Sequence, residues 1–427
     1  MPTTTTSNPS GNPSVALSHR RHAARDAADH ADYADYADSP AVRLLQHTLL
    51  DACARGASDI HVEPGEQDWR IRLRIDGVLH EVARPPAHLQ DAFVTRVKVL
   101  ARLDIAERRI PQDGRLRLPL GAQQVEEYRV SSLPTLFGEK LVLRRLDALP
   151  AELSLALLGL DAAQQRTLTD ALASPHGMIL VTGPTGSGKT VSLYCFLQLL
   201  NRVSLNLCSV EDPAEIQLAG VSQVSVREKA GLTFAAALRA FLRQDPDVIM
   251  IGEIRDAETA DVAVKAAQTG HLVLSTLHTN DAPATVARLL DIGVAPFNLA
   301  AAARLITAQR LVRKLCPACR QPAPGGRTEL RAAGFSEADL EGDWQPYQAA
   351  GCGACHGIGY RGRIGVHQVM PVSGPMRELI VGRCSAQALA RQASAEGIVT
   401  LRMAALAHVR AGTTSLTEAV AATELQP

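Results

Sequence analysis

The sequence predicts an α/β fold, with a core of buried strands and helices, a smaller α+β domain before it, and a cysteine module and helices after it. Short apolar segments alternate with helical stretches between about residues 155 and 310, as at 178–181, 207–210 and 248–251. This alternation is typical of a sheet covered by helices. Two Cys-x-x-C pairs then frame a segment rich in Gly and Pro, and helical periodicity returns from residue 373.

The composition is that of a folded globular protein. Hydrophobic residues make up 46% and charged residues 21% of the 427 residues, which excludes fibrous and largely disordered classes. A chain of this length predicts two or three domains, because single hydrophobic cores stop growing at about 250–300 residues. Lys plus Arg equals Asp plus Glu at 44 each, so no net field draws the whole molecule to nucleic acid or an acidic membrane. No apolar segment is long enough to span a bilayer and no signal peptide is evident, which predicts a cytosolic location.

The N-terminal part is predicted to be a tail followed by the small domain. Residues 1–39 contain little to bury, which predicts disorder. Helical spacing of apolar residues begins near Ser39-Pro40, and residues 70–75 alternate Arg with apolar residues before Asp76-Gly77, the pattern of a strand entering a hairpin. The predicted units after the tail are 40–148 for the small α+β domain, 149–315 for the core, 316–372 for the cysteine module with its return strands, and 373–427 for the helical C-terminal region.

Residues 183–190 form a phosphate-binding loop in the context that such a loop requires. They fit the pattern G-x-x-x-x-G-K-[ST], follow the apolar strand 178–181 and precede a helical segment. Glycines let backbone N–H groups surround phosphate oxygens, and the helix N-terminus adds a favourable dipole. Lys189 is expected on the β- and γ-phosphates and the Thr190 hydroxyl on Mg²⁺, which predicts an Mg²⁺-dependent ATPase. The candidate nucleotide-binding residues are Gly183, Pro184, Thr185, Gly186, Ser187, Gly188, Lys189 and Thr190.

Two acidic segments follow apolar strands and supply the carboxylates that hydrolysis needs for the metal and the attacking water. Glu253 stands after the strand 248–251, at the end where α/β sheets bind ligands. Gly252 occupies the place where many phosphate-loop enzymes have Asp, so Glu253 is expected to bind the metal or to orient the attacking water. The segment 211–215 follows the strand 207–210. Such a cluster is often a solvated turn, but its position after a strand favours a catalytic role.

His271 and His278 stand at the two ends of one short apolar strand. A single histidine is more often a core or capping residue than a catalyst. The pair could instead sense the γ-phosphate, and the spacing alone leaves both interpretations open.

The two Cys-x-x-C pairs predict a zinc site. In a reducing compartment such pairs indicate metal binding before disulfides, and two pairs can close a tetrahedral site of four thiolates. The loop between them is long, but loop length adds little closure entropy. Four protein ligands leave no open position, so the site is expected to be structural; the alternative is a set of reduced cysteines without metal. The candidate ligands are Cys316, Cys319, Cys352 and Cys355.

Taken in order, these motifs resemble the family of secretion ATPases that drive type IV pilus assembly and type II secretion. The resemblance covers about residues 40–427. It rests on the phosphate loop and on the segments 57–64 (Ala-Ser-Asp-Ile-His-Val-Glu-Pro), 111–115 (Pro-Gln-Asp-Gly-Arg), 129–135 (Arg-Val-Ser-Ser-Leu-Pro-Thr), 211–215, 253–256 and 271–278.

The resemblance implies a homohexamer of RecA-like P-loop ATPase domains, each preceded by a small domain that rotates and closes over the nucleotide. It implies that Glu215 activates water, that Glu253 serves Mg²⁺, and that His271 and His278 are the His-box residues.

Arg115 and Arg129 resemble the arginines by which the family's small domain reaches the phosphates. A guanidinium on γ-phosphate oxygens stabilises the transition-state charge. Closure and hydrolysis would thereby be coupled.

The resemblance also implies a biological role. The segments 136–140, 190–194 and 238–244 together favour the pilus-assembly branch over type II secretion, and the cysteine module argues against the retraction members, which lack it. The implied cofactors are ATP, Mg²⁺ and Zn²⁺, and the implied partner is a platform protein at the inner face of the inner membrane. Two features depart from the family pattern: a short tail replaces the docking domain, and His367-Gln368 replaces Tyr-Glu.

Two other functional classes are weaker. A DNA-translocating ring motor needs a basic groove and aromatic stacking platforms, which zero net charge and 4% aromatic residues do not indicate. No nucleic-acid partner is therefore expected. A nucleotide sensor that binds ATP without turnover is the second alternative.

Overall fold

The computed structural model describes residues 39–119, 125–146, 153–324 and 326–423. The predicted disordered tail lies outside these residues, apart from Ser39. The chain divides into two compact units, and the boundary falls between residues 147 and 148. No helix in the described ranges is long and apolar enough to cross a membrane.

In the described residues, the first unit is an antiparallel sheet with two α-helices. The six strands have the order β3-β2-β1-β6-β5-β4. The helices are α1 (Pro40–Ala54) and α2 (Gln90–Leu100). The strands are β1 (Asp59–Pro64), β2 (Trp69–Ile75), β3 (Val78–Ala83), β4 (Gln112–Pro119), β5 (Val125–Thr135) and β6 (Gly138–Leu146).

The predicted hairpin of this unit is confirmed. β2 alternates buried and half-buried residues along its whole length, which is the pattern of a strand with one face on the core. Asp76 and Gly77 both have positive φ, at 47° and 86°, and they join Ile75 to its cross-strand partner Val78. Two consecutive residues of positive φ match the twist of a two-residue hairpin.

The second unit is built on a seven-stranded sheet with the order β15-β12-β7-β11-β10-β8-β9. Its strands are β7 (Gly177–Thr182), β8 (Leu207–Glu211), β9 (Val221–Ser225), β10 (Val248–Ile251), β11 (Leu272–Leu277), β12 (Ala303–Leu315) and β15 (Tyr360–Pro371), with a separate small pair β13 (Gln321–Pro322) and β14 (Tyr347–Gln348). Its α-helices are α3 (Ala162–Leu172), α4 (Lys189–Leu200), α5 (Phe234–Phe241), α6 (Ala257–Gln268), α7 (Ala282–Ile292), α8 (Pro296–Ala302), α9 (Arg327–Ala333), α10 (Gly374–Val381), α11 (Ala386–Ala395), α12 (Leu401–Arg410) and α13 (Leu416–Thr423).

The sheet is parallel except for one edge strand. Neighbours from β12 through β9 run parallel, whereas β15 is antiparallel to β12. All six residues of β7 are buried, as expected for a central strand covered on both faces. The predicted α/β class and the helical C-terminus are confirmed. Because β15 joins the main sheet, the segment with the cysteine pairs is an insertion between two paired strands of the core.

The structure also gives an account of His367 and Gln368, which lie on β15. His367 Nε2 donates to the Leu158 carbonyl at 2.7 Å, and Gln368 Oε1 accepts from the Ala282 N–H at 3.0 Å. Burial lowers the pKa of His367 to about 4, although the bond to Leu158 opposes the shift. His367 is therefore neutral at pH 7, and both side chains are satisfied polar groups of the core.

Candidate active site and metal centre

Four of the predicted segments meet at the carboxyl edge of the parallel sheet. The phosphate loop follows β7, His278 follows β11, Glu253 follows β10, and the acidic segment 211–215 begins at the last residue of β8. These four strands are consecutive neighbours in the sheet. Parallel strands end at the same edge, where α/β sheets bind ligands. The topology therefore brings the phosphate loop, two acidic segments and one histidine to one edge.

The glycines of the loop are required by a close approach of the neighbouring strand β12. A Cβ on Gly183 would lie 2.5 Å from the Gln309 carbonyl oxygen and 2.6 Å from Ser187 Oγ. A Cβ on Gly188, whose φ is +89°, would lie 2.8 Å from Gln309 Nε2. These distances are shorter than any real Cβ contact, so the loop can hold its curled backbone only with glycine at both positions.

Lys189 lies folded over the loop that precedes it. Its Nζ donates to the carbonyl oxygens of Gly183 at 2.8 Å and Pro184 at 3.0 Å. Desolvation lowers the pKa of Lys189 to about 8, with Glu253 opposing the shift and Arg310 adding to it. Desolvation disfavours the charged ammonium form of Lys189, and the negative charge of a bound phosphate group would stabilise that form.

Ser187 gives a second indication that the loop fits a phosphate. Its hydroxyl oxygen is buried and has no hydrogen-bond partner within the described part of the chain. Buried polar groups are nearly always paired in native proteins, so an unpaired hydroxyl inside a glycine-rich loop favours a ligand oxygen as its partner. The loop and Lys189 thus fit the predicted nucleotide.

Glu253 is held in a cluster of charged groups. Its Oε2 lies 3.4 Å from His278 Nε2, and its Oε1 accepts from Arg255, which also lies 3.6 Å from Asp212. Desolvation and the nearby Lys189 lower the pKa of His278, and Glu253 only partly opposes this. The Glu253 side chain is 20% exposed and that of His278 50% exposed. Glu253 is thus anchored by neighbours yet accessible, as a metal-binding carboxylate must be.

The acidic segment at the end of β8 contains two glutamates in different surroundings. Glu211 is buried and accepts hydrogen bonds from Ser209 Oγ at 2.7 Å, from Gln223 Nε2 at 3.0 Å and from the Tyr194 hydroxyl. Three donors satisfy Glu211 within the protein, which indicates a structural carboxylate. Glu215 is half-buried further along the loop, and it remains the candidate for the attacking water.

His271 lies away from the other candidates in its own chain. It precedes β11, at the amino end of the sheet, and its Nδ1 lies 3.0 Å from the Ala266 carbonyl oxygen. The carboxyl end of β11 carries His278. Of the predicted histidine pair, the structure brings only His278 to the phosphate loop, and the role of His271 stays a prediction.

Arg115 and Arg129 are direct cross-strand partners on β4 and β5 of the first unit. Arg115 is exposed and Arg129 half-buried. The structure thus places the two predicted arginines side by side. Their contact with phosphates stays a prediction.

Two residues of β12 belong to the site although they were not singled out from the sequence. Gln309 Nε2 donates to the Ser187 carbonyl at 2.8 Å, and Gln309 Oε1 accepts from Ser192 Oγ at 2.7 Å. Arg310 donates to the Asn280 carbonyl at 2.9 Å and lowers the pKa of Lys189. The sequence signal was weak, because the strand also carries Arg304, Thr307, Arg313 and Lys314. Burial, which the sequence does not show, identifies Gln309 as a polar side chain that needs specific partners.

The four predicted zinc ligands form one cluster. The Sγ atoms of Cys316 and Cys352 are 3.9 Å apart, those of Cys319 and Cys355 are 3.7 Å apart, and all four lie within 4.8 Å of one another. Zn–S bonds of about 2.3 Å in a tetrahedron place sulfur atoms about 3.8 Å apart. The cluster therefore fits a zinc site with four thiolate ligands.

Backbone donors support the thiolate form of one of these ligands. Desolvation opposes ionisation of Cys355, but N–H groups of Cys352 and Gly359, 3.2 Å and 3.1 Å from its Sγ, together with the Cys352 and Cys319 thiols, outweigh this and lower its pKa to about 6. Desolvation and the neighbouring thiols raise the pKa of Cys319. A zinc ligand must be a thiolate, so the lowered pKa of Cys355 agrees with the geometry.

The fold and the site define an α/β nucleotide-binding protein with a phosphate loop and a separate cysteine centre. Comparison with known proteins identifies the family. The family described as Type II/IV secretion system protein matches residues 34–421, and the chain belongs to it. The resemblance to secretion ATPases that the sequence motifs indicated is thus confirmed.

Similar proteins come from pilus and secretion systems. The chain is 50% identical over 382 residues to the type IV pilus assembly ATPase PilB of Myxococcus xanthus, covering 90% of this chain and 68% of that protein. It is 47% identical over 359 residues to the type II secretion system protein E of Pseudomonas aeruginosa, covering 84% of this chain and 71% of that protein. A crystal structure of the pilus retraction motor PilT with bound ADP aligns with a TM-score of 0.60 at 26% identity, covering 90% of this chain and 97% of that one.

Proposed function

We propose that this chain is an ATPase that powers type IV pilus assembly. The observation that carries the proposal is the meeting of the phosphate loop, Glu253 and His278 at one sheet edge, with Lys189 partly desolvated beside them. Phosphoryl transfer needs positioning and charge stabilisation more than covalent chemistry from the protein. An edge with backbone donors, a lysine and accessible carboxylates supplies both.

The residues take distinct roles. Lys189 and the loop N–H groups bind the β- and γ-phosphates, and Glu215 orients and activates the attacking water. Mg²⁺, held by the Thr190 hydroxyl and Glu253, would neutralise charge that develops on the phosphate oxygens. His278 touches Glu253 and is neutral at pH 7, so it can hydrogen-bond a phosphate oxygen without adding charge.

The proposed assembly is a homohexamer that acts on a platform protein at the cytoplasmic face of the inner membrane. Identity to the pilus assembly relative, 50%, is slightly higher than identity to the type II secretion relative, 47%, which supports pilus assembly as the first choice. Type II secretion is the alternative function because the two values are close. The cysteine centre is proposed to hold zinc and to stabilise the fold.

Steady-state phosphate release from the purified chain with Mg²⁺ tests the ATPase proposal. Lys189→Ala and Glu253→Ala should each lower turnover by about 100-fold or more, because each removes charge that acts on the transition state. Lys265→Ala is the matched control, since Lys265 lies on α6 and pairs with surface Asp261. This control should keep the turnover of the wild type.

The outcomes separate the competing classes. Tight ATP binding without turnover, or with a residual turnover that neither Lys189→Ala nor Glu253→Ala abolishes, would identify a nucleotide sensor. DNA-stimulated turnover with salt-dependent DNA binding would identify a nucleic-acid motor. Deleting the gene in its host separates the remaining two: loss of surface pili with intact protein export supports pilus assembly, and the reverse supports type II secretion.

A further inference from the structure

The helix that begins with Lys189 also carries a buried tyrosine whose hydroxyl contacts the acidic segment 211–215. Tyr194 lies on α4 and is completely buried, with 0% of its surface exposed. Five residues along a helix correspond to about 7.5 Å of rise. Tyr194 is thus joined to Lys189 by a short rigid element, and its hydroxyl reaches the acidic segment after β8.

The Tyr194 hydroxyl connects the two glutamates of that segment. It donates its proton to the Glu211 carboxylate, and its oxygen accepts from the backbone N–H of Glu215 at 3.1 Å. An ionised carboxylate only accepts hydrogen bonds, so the single phenolic proton points to Glu211 and the oxygen lone pairs face Glu215. Burial and the bond to Glu211 raise the pKa of Tyr194, which keeps the phenol protonated.

The same helix holds the loop after β8 at a second point. Asn201, the C-terminal cap of α4, donates from Nδ2 to the Ala219 carbonyl at 2.7 Å. Between the two contacts, Gln223 donates to the Ile216 carbonyl at 3.0 Å and accepts from the Leu218 N–H at 2.7 Å. The loop is therefore fixed along its length, with both ends of the fixed stretch tied to α4.

We propose that Tyr194 is a positioning residue, which sets the place of Glu215 relative to the phosphate loop through α4. The inference rests on the proposed function, in which Glu215 activates the attacking water. Lys189 and Glu215 lie on separate segments of the chain, and a rigid connection between these segments keeps the relative position of the two residues fixed. Small errors in such positions lower rates strongly, since a displacement of about 1 Å can reduce a rate by about 100-fold.

Tyr194→Phe tests the proposal because it keeps the ring and removes only the hydroxyl. Glu211 retains Ser209 and Gln223 as donors, while the Glu215 N–H loses its partner. We expect kcat to fall by roughly 10- to 100-fold, with KM and ATP affinity unchanged because the phosphate loop is untouched. In a Glu215→Gln background the same substitution should cause no further loss, since residues acting through one another are not additive.

Two control variants separate positioning from general destabilisation. Tyr360→Phe removes a phenol that pairs with Ser415 Oγ at 2.7 Å, far along the chain from the loop, and should leave kcat unchanged. Ser209→Ala removes another donor from Glu211 without touching Glu215, and should also keep kcat near wild type. Melting temperatures of all variants show whether each one is folded.

Several results would overturn the inference. The first two are an unchanged kcat in Tyr194→Phe and an effect of this substitution on KM alone. The others are an equal fall of kcat in Ser209→Ala and a further fall of kcat when Tyr194→Phe is added to Glu215→Gln. If Tyr194→Phe does not fold, Asn201→Ala tests the same coupling at its exposed end: a lower kcat at constant ATP affinity supports it, and an unchanged kcat contradicts it. Full turnover in Glu215→Gln alone would instead refute the assigned role of Glu215, whatever Tyr194→Phe does.

Discussion

The phosphate-loop edge and the cysteine centre are both assembled from distant parts of the chain, but one is accessible and the other closed. At the edge, Glu253 and His278 keep 20% and 50% of their side-chain surface exposed. In the cysteine centre, Cys316 and Cys355 are 1% and 3% exposed, Cys319 and Cys352 are half-buried, and the four sulfur atoms lie within 4.8 Å of one another. An accessible site can exchange ligands at each turnover, whereas a closed site serves the fold. Changes at the two sites should therefore affect different measurements.

The largest expected effect on stability comes from the cysteine centre. Cys316→Ser should abolish binding of about one zinc ion per chain and lower the melting temperature by roughly 10 °C, because metal-binding energy is folding energy at such a site. Metal analysis and thermal unfolding measure the two effects. Cys384→Ser is the matched control, since Cys384 lies outside the cluster, and it should keep both values. If metal analysis finds no zinc in the freshly purified wild-type protein, the proposed structural zinc site, and with it the contrast between the two sites, is wrong.

At the phosphate-loop edge, Gly183→Ala should weaken ATP binding by about 100-fold, equivalent to about 2.7 kcal/mol, because the new Cβ collides with Gln309 and Ser187. Isothermal titration measures this effect. Gly252→Ala is the control: its Cβ would meet no atom closer than 3.4 Å, so binding should stay near the wild-type value. Equal losses in both variants would show that the close packing around Gly183 has no special importance.

The smallest effect concerns pH. With a pKa of about 8 in the free protein, Lys189 is charged at pH 7 and largely neutral at pH 9. Bound phosphates favour the charged form, so ATP affinity should fall by about tenfold between these values, with the loss concentrated above pH 8. Titrations at several pH values check the slope. The weak residual ATP binding of Lys189→Ala should not show this fall with pH. A wild-type ATP affinity that does not change with pH would contradict the predicted desolvation of Lys189.

Much of the site could be predicted because its signals are local. The phosphate loop is one contiguous motif, and Glu253 and His278 each follow an apolar strand, so a parallel sheet brings them together. His271 shows the limit of reasoning from a pair of like residues. A six-residue strand spans roughly 20 Å at about 3.3 Å per residue, so residues at its two ends lie at opposite edges of a sheet.

The remaining parts of the site depend on long-range packing. Gln309 supports the phosphate loop only because β12 lies beside β7, and strand order is not visible in the spacing of residues. Tyr194 was not singled out among the candidate site residues, and its bonds to the loop after β8 could not be inferred from sequence. The contrast between Glu211 and Glu215 arises in the same way, since burial and donor geometry distinguish two glutamates that are equivalent in the motif.

The placement of the cysteine segment between β12 and β15 has a consequence for how this architecture can vary. Leu315 and Tyr360, at the ends of the two strands, are already cross-strand neighbours, so a short turn could close the hairpin and leave the core sheet continuous. Lengthening, shortening or exchanging the inserted segment would then leave the strand order of the sheet unchanged, but Leu330, Phe335 and Leu340 of the segment pack in the core of the second unit, so these contacts must be kept. Evolution and protein engineering can therefore vary the exposed parts of this segment more freely than its apolar contacts with the core.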